Sequence, residues 1–389
     1  MTGKKPRILN KIYALEDLEV HAKKHLPKPV FGYVAGGAER NHTLRNNAED
    51  FANYKFVPNI LRNVSERSTK TEIFGRQWDA PFGISPMGVS ALAAYRGDIV
   101  LADAAQKMNI PMVISGSSLI PMEEIIKLAP ETWFQAYLPG EHDKVENLVL
   151  RVKKAGFETL VLTVDVAVLA GRENNLRNGF STPLRPSFSL LYQGLTHPNW
   201  SMNTFLKTIF KHGMPHFENF LAERGEPVFS ASINRDFGKR SNLNWEHLKQ
   251  IRKLWDGNLI VKGILNKEDA LKAINLGADA IIISNHGGRQ LDSAISSIKA
   301  LENIRPHVKG DCKLFVDSGF RRGTDVIKAL ALGADFVFIG RPFLYAASIA
   351  GIAGVTHTIN LLKEEIDRDM ALLGVNEIDE LGHELLQKH

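Results

Sequence analysis

Cysteine is nearly absent: Cys312 is the only one in 389 residues. No disulfide can close within the chain, so a reducing compartment is the expected setting and Cys312 reads as a small core residue beside a strand. No Walker-type loop and no strand-linked G-x-G-x-x-G occurs, which argues against an NTP or a Rossmann-bound dinucleotide. No His, Cys, Asp or Glu cluster has metal-ligand spacing, so no metal is expected. Lysine and arginine give a net charge of +5 but form no dense run, so nucleic acid is not an expected partner. Met1 to Asn10 carries three basic residues with no apolar stretch behind them, so no secretory signal is expected.

Two absences are local. From Asn174 to Phe217 there is no Asp or Glu, while Arg177, Arg185, Lys207 and Lys211 supply positive charge among many aromatic and aliphatic residues. Such a segment suits an anionic lipid headgroup layer, with Trp200, Phe205, Ile209 and Phe210 as the inserting side chains. A lid or subunit contact that buries those aromatics is the competing reading. Pro342 to Leu362 lacks Asp, Glu, Lys and Arg and is long enough to span a bilayer. Its Gly, Ser, Thr, His and Asn content favours a buried helix.

At 44% hydrophobic and 23% charged residues, the rest is that of a soluble globular protein. Eight short apolar runs recur between turn residues: Phe82–Ser85, Met112–Ser115, Trp133–Tyr137, Leu160–Asp165, Leu259–Lys262, Ala280–Ser284, Lys313–Asp317 and Phe336–Gly340. Helical patterns alternate with them, at Gly97–Met108, Met122–Leu128, Asp143–Ala155, Trp245–Leu254, Lys267–Leu276, Ser293–Ile304 and Thr324–Leu332. Continuous Val/Ile-rich runs between helices predict parallel strands covered on both faces. "INLGADAIIISN" (274–285) and "LALGADFVFIGR" (330–341) repeat one helix-turn-strand unit. The expected fold is an α/β (β/α)8 TIM barrel over 81–375, with an N-terminal helical cap over 1–80 and a long insertion, 174–217, after strand 4.

A barrel of this kind carries its active site at the C-terminal strand ends. Those ends read Ser85-Pro86-Met87-Gly88, Ser115, Gln135 and Tyr137, Thr163 and Asp165, Lys262, His286 and Arg289, Asp317, and Gly340-Arg341. Each alone has a bland account as a capping or solvated residue. Together they predict a polar pocket ringed by both signs of charge. "DSGFRRGTD" (317–325) and "GRP" (340–342) after the last two strands add a phosphate signal.

"SNHGGRQLD" (284–292), "VKG" (261–263), "LTVD" (162–165), "FQAY" (134–137) and "YVAGGAE" (33–39) resemble motifs of the FMN-dependent 2-hydroxy-acid dehydrogenases and oxidases. The resemblance runs in order from about Leu15 to Leu373. It implies that His286 is the base, with Asp165 beside it, and that Arg289 and Arg172 clamp a substrate carboxylate with help from Tyr33. It implies that Tyr137 binds the oxygen at the reacting carbon and that Lys262 sits near N1–C2 of the flavin. Met87, Gly88, Ser115, Gln135, Thr163 and Ser284 would hold the isoalloxazine. Asp317 would bind the ribityl chain, and Gly319, Arg321, Gly340 and Arg341 the phosphate. The glycines of "HGGR" would leave room for substrate and ring.

Ser117 and Gly88 stand where plant-type glycolate oxidases of the family carry Trp and Ala, which implies a larger pocket for the substrate side chain. "DVAV", "HPNW" and "HGMP" look most like the bacterial (S)-mandelate branch, with respiratory L-lactate dehydrogenases close behind. That implies electrons passed to quinone, a homotetramer, and a peripheral position on the cytoplasmic face of the cell membrane through 174–217. An oxygen-using oxidase is the alternative within the family. Outside it stand a phosphate-binding isomerase or aldolase using Lys262 as a Schiff base, and a non-enzymatic basic scaffold that leaves the strand-end polar ring unexplained.

Overall fold

The computed structural model describes residues 6–388 apart from 182, 183, 186, 230–239 and 311. Eight parallel strands form one sheet: Phe82–Ile84, Val113–Ser115, Trp133–Tyr137, Thr159–Thr163, Asn258–Ile264, Ala280–Ile283, Lys313–Asp317 and Phe336–Ile339. Each pairs with its neighbours in chain order, and the last pairs back to the first through Val337↔Phe82 to Ile339↔Ile84. A bridge between Ile84 and Met112 closes the remaining gap between strands one and two. The barrel and the insertion after strand four stand as the sequence predicts.

Inward positions alternate along each strand, as the pleat requires. Val113, Trp133, Val161, Ile260, Ala280, Ile282, Phe315, Phe336 and Phe338 fill the interior, where the 71–78 hairpin adds Ile73 and Trp78. Burying each of the larger side chains contributes roughly 1.5–3 kcal/mol. One pleat beyond these inward residues lie Ser115, Gln135, Thr163, Lys262, Ser284, Asp317 and Gly340. The periodicity that fills the core thus delivers one polar or small group from each of these seven strands to the C-terminal rim.

The repeated Leu-Gly-Ala-Asp unit performs one task twice. Gly277 (φ +91°) and Gly333 (φ +92°) turn their helices back in the left-handed region that favours glycine. Asp279 and Asp335 then each accept a backbone N–H from the start of the preceding strand, at Leu259 and Leu314, both at 2.8 Å.

The structure departs from the sequence reading in several places. Strand five runs on to Ile264 through a bulge between Lys262 and Ile264, with Gly263 at φ +106°. The helix expected from Ser293 begins at Ser297, because Ser293 has φ +63° and the Asp292 carboxylate is engaged by the backbone N–H groups of Arg40 and Thr43. The uncharged stretch lies in a helix as predicted, Arg341–Leu373, with an unforeseen break at Ala350-Gly351. Its most apolar window is 61% buried, which identifies it as a core helix of the barrel.

The acid-free insertion is also rearranged. Trp200 and Phe205, expected to insert into lipid, face protein instead. Trp200 is buried and donates its indole N–H to Leu92 O at 2.7 Å, while Phe205 packs between Trp200 and Phe229. Ile209 is half-buried, and Phe210 is 84% exposed. The exposed apolar face lies on helix Phe188–Thr196, where Phe188, Leu191, Tyr192 and Leu195 share one stripe at helical spacing.

Candidate active site

The strand ends open into a cavity of about 1050 Å³. Residues singled out in the sequence line it, among them Tyr33, Met87, Gly88, Tyr137, Thr163, Arg172, Lys262, His286, Arg289, Asp317, Gly319, Arg321, Gly340 and Arg341. Asp165, Ser115, Gln135 and Ser284 stand immediately behind that wall and act on it through hydrogen bonds.

His286 follows strand six with φ +59°, a conformation uncommon outside glycine. Its backbone N–H is caught by Ser284 Oγ at 3.0 Å. Its Nδ1 meets Asp165 Oδ1 at 3.0 Å and Oδ2 at 3.2 Å, and its Nε2 lies 3.3 Å from the Tyr137 hydroxyl. Asp165 approaches this closely because Gly263 in the bulge has no side chain: a Cβ there would fall 2.7 Å from Asp165 Cβ. Burial opposes charge on Asp165, yet His286 and Lys262 outweigh it and hold the carboxyl below its usual pKa. Burial also lowers the His286 pKa, reinforced by Lys262 and Arg172 and only partly offset by Asp165. The result is a neutral imidazole whose Nδ1 proton is given to an ionised carboxylate. Its Nε2 lone pair is then directed at the cavity, the arrangement a general base requires.

Lys262 is buried between Asp317, at 2.9 Å, and Ser284 Oγ, at 2.6 Å. Ser284, expected on the cofactor, is fully buried, and its Oγ ties Lys262 to the His286 backbone. Gln135 Oε1 accepts from Ser115 Oγ and Gly116 N, while Gln135 Nε2 is buried with no hydrogen-bond partner among the described residues. A buried amide donor is costly to leave unmade, so this atom points to an acceptor on a bound group.

Gly287, which lines the cavity, and Gly288 both permit close protein contacts that a side chain would break. A Cβ on Gly287 would meet Arg341 Nη1 at 2.7 Å, and one on Gly288 would meet the Leu44 backbone N at 2.5 Å. Arg341 is held by the carbonyls of Val34, Gly36 and Gly287 through Nε and Nη2. Burial, with Arg289 and Arg321 nearby, pushes its pKa down to about 9. Guanidinium groups gathered beside Gly319 and Gly340, none of them in an ion pair with a carboxylate among the described residues, favour an anion.

Arg289 lies at the other side. Its Nη1 donates to Tyr33 O at 2.6 Å and Gly36 O at 2.9 Å, while Nη2 is buried with no partner among the described residues. Arg172 donates to Arg289 O and Gln290 Oε1, and Gln290 in turn donates to Asp165 O. Burial and the Arg289 charge push the Arg172 pKa down to about 10. Gly88 and Ser117 face each other across the cavity wall, since a Cβ on Gly88 would fall 2.9 Å from Ser117 Cβ. Phe180, stacked on Tyr33 at 4.4 Å, and Phe220, Val166 and Arg240 also line the cavity. No sequence motif marks Phe180, Phe220 or Arg240, which sit in connections whose path only the fold reveals, while Val166 falls within "DVAV".

Comparison with known proteins places this geometry. An L-lactate dehydrogenase of Ectopseudomonas mendocina (strain ymp) is 40% identical over 381 residues, covering 97% of this chain and 99% of that one. An (S)-mandelate dehydrogenase of Pseudomonas putida is 38% identical over 377 residues, covering 97% and 94%. The crystal structure of the monotopic membrane protein (S)-mandelate dehydrogenase matches with a TM-score of 0.88 and 37% identity, covering 97% of this chain and 100% of that one. A family model described as FMN-dependent dehydrogenase matches residues 22–388. The barrel, the buried cation and orphaned amide at its rim, and the guanidinium cluster beside its last two strands therefore mark this chain as a member of the FMN-dependent dehydrogenase family.

Proposed function

We propose that the protein oxidises an (S)-2-hydroxy acid to the 2-oxo acid and delivers the electrons to a membrane quinone. The observation that carries this reading is the pairing, in one cavity, of a neutral His286 base with an Arg289 whose second terminal nitrogen is left for a carboxylate. The residues fit FMN. Gln135 Nε2 and Lys262 would face the flavin ring, and Gly319, Arg321, Gly340 and Arg341 would hold its phosphate. FMN, when bound, supplies the two-electron acceptor.

The chain's own groups do the rest. Arg289 and Arg172 hold the substrate carboxylate, which fixes the C2 hydroxyl between Tyr137 and His286. Nε2 of His286 takes the proton released as that hydroxyl becomes a carbonyl. Asp165 stabilises the imidazolium that results. Tyr137 donates to the oxygen, and burial keeps its phenol protonated by raising its pKa, with Tyr33 and Asp165 adding to the rise.

The direct test is anaerobic bleaching of the yellow holoprotein by (S)-mandelate, (S)-lactate and glycolate, followed by reoxidation with a quinone analogue or oxygen. No bleaching by any of them would overturn the reading, and fast reoxidation by oxygen alone would make the protein an oxidase. Ser117→Trp is expected to fill the space beside Gly88 and lower bleaching by mandelate relative to glycolate about ten-fold, the scale of a steric pocket effect. Equal loss on both substrates would remove Ser117 from the side-chain pocket.

The exposed stripe of helix Phe188–Thr196, with Phe210 and the exposed Arg177, Arg185, Lys207 and Lys211, supports attachment to an anionic membrane surface. Changing Phe188, Leu191, Leu195 and Phe210 together to serine is expected to weaken binding to anionic vesicles at least about ten-fold. FMN content and turnover with a soluble dye should stay as they are. Wild-type binding should also weaken with salt without vanishing, since only its charged part is screened. Failure of the wild type to bind such vesicles at low salt would assign the stripe to a subunit contact.

A further inference from the structure

Arg240 has no part in the scheme above, yet it lines the same cavity and is buried, at 6% exposure. Its guanidinium carbon lies 4.9 Å from the centroid of the Tyr137 ring and 4.5 Å from that of Phe220. Those two rings are themselves stacked, 6.1 Å apart with 30° between their planes. Beyond Tyr137 comes His286, its ring 6.3 Å away and inclined by 26°. Arg240, Tyr137, His286 and Asp165 therefore form a row, with a cation at one end and a carboxylate at the other.

Placing a guanidinium here has a cost, because burial disfavours its charged form and lowers its pKa to about 10. It remains a cation wherever a neutral imidazole operates. An aliphatic side chain would fill the space beside two aromatic rings without that penalty. On the Tyr137 ring face the guanidinium places a flat, weakly hydrated cation. A positive charge on that face draws electron density from the phenol, opposing burial, Tyr33 and Asp165, which all make its proton harder to lose. The hydroxyl becomes a stronger donor, and the ring is clamped between Arg240 and His286.

We propose that Arg240 is a positioning residue for the reaction: stacked on Tyr137, it holds the phenol at His286 and strengthens its hydrogen bond to the oxygen on the reacting carbon. The inference rests on the hydroxy-acid reading above. It assigns no contact between Arg240 and substrate, so its effect must pass through the Tyr137 hydroxyl.

The test is single-turnover flavin reduction by (S)-mandelate or (S)-lactate in the wild type, R240M, R240K, Y137F and the Y137F/R240M double variant. R240M should lower the limiting reduction rate about ten-fold, the scale of a desolvated cation–π contact, with little change in the half-saturating substrate concentration. R240K should recover part of the loss, and FMN content and melting temperature should match the wild type. In the Y137F background, which keeps the ring and removes the hydroxyl, R240M should change the rate by less than about two-fold. A wild-type rate in R240M would overturn the proposal, as would a full ten-fold loss in the Y137F background. R240Q, planar but uncharged, supplies the second neutral variant should R240M fold poorly. A wild-type holoprotein that no hydroxy acid bleaches would overturn the hydroxy-acid reading first and this inference with it.

Discussion

Replacing His286 with alanine is expected to leave FMN bound and to slow substrate-driven flavin reduction by at least ~10²-fold, the lower range of a general base's contribution. The separation follows from the geometry. Lys262, Gln135 and the guanidinium cluster around Arg341 reach the cavity without passing through the imidazole, so the cofactor's contacts survive its removal. The substrate proton then has no acceptor, because Tyr137 is held protonated and Asp165 lies behind the cavity wall. Asparagine offers a control, since it tolerates the left-handed backbone at this position better than alanine. The pH dependence carries a sign. A lowered His286 pKa means that kcat/KM should rise with pH through a midpoint below 6.5, the ordinary imidazole value. Asp165→Asn should move that midpoint lower still, because Asp165 is the group that raises it, and should slow the reaction by losing the tautomer that leaves Nε2 unprotonated. Near-normal bleaching in the His286→Ala protein would show that another group takes the proton.

The barrel was readable because its strands are buried on both faces, so Ala280-Ile281-Ile282-Ile283 and its counterparts stand out as unbroken apolar runs. The rim was readable for a related reason: alternate positions of each strand face the interior, so the polar residue one pleat past the core must enter the cavity. Motifs with a mechanical cause also survived translation, as the paired Leu-Gly-Ala-Asp units show. What was illegible depended on a partner far away in the chain. Trp200 looks membrane-seeking in a stretch without acids, and nothing local announces that Leu92 O waits for its indole 108 residues earlier. The glycines of "HGGR" looked like space for a ligand, and Gly287 does line the cavity, but the close approach of Arg341 and of the Leu44 backbone to them was not visible. Ser284 looked like a cofactor contact, and that its hydroxyl oxygen also accepts from Lys262 and the His286 backbone was not visible. Arg240 follows no motif; its significance lies in the two rings that the fold brings beneath it.

Arg289→Lys is expected to lower kcat/KM for the hydroxy acid by roughly 10- to 100-fold, the cost of one lost charge-assisted hydrogen bond, although charge is conserved. Arg289 performs two tasks with its two terminal nitrogens. Nη1 fastens the 33–36 segment through the carbonyls of Tyr33 and Gly36, and its guanidinium lies 4.7 Å from the Tyr33 ring centroid. Nη2 remains buried with no partner among the described residues, in position for a carboxylate. A lysine ammonium is a single point on a flexible stem and cannot serve both sides at once. If it binds the carbonyls the substrate loses its anchor, and if it binds the substrate the Tyr33 segment loosens. Arg172 can compensate only in part, because its Nε and Nη2 already donate to Arg289 O and Gln290. Its pKa, lowered by burial and the Arg289 charge, shows two cations sharing one space, a repulsion that a substrate carboxylate relieves. The loss should therefore appear mainly as a raised KM with FMN retained, and oxalate or another small dicarboxylate should bind more weakly to the variant by the same factor. Unchanged substrate affinity would leave Nη2 of Arg289 with some other task and shift the clamp to Arg172.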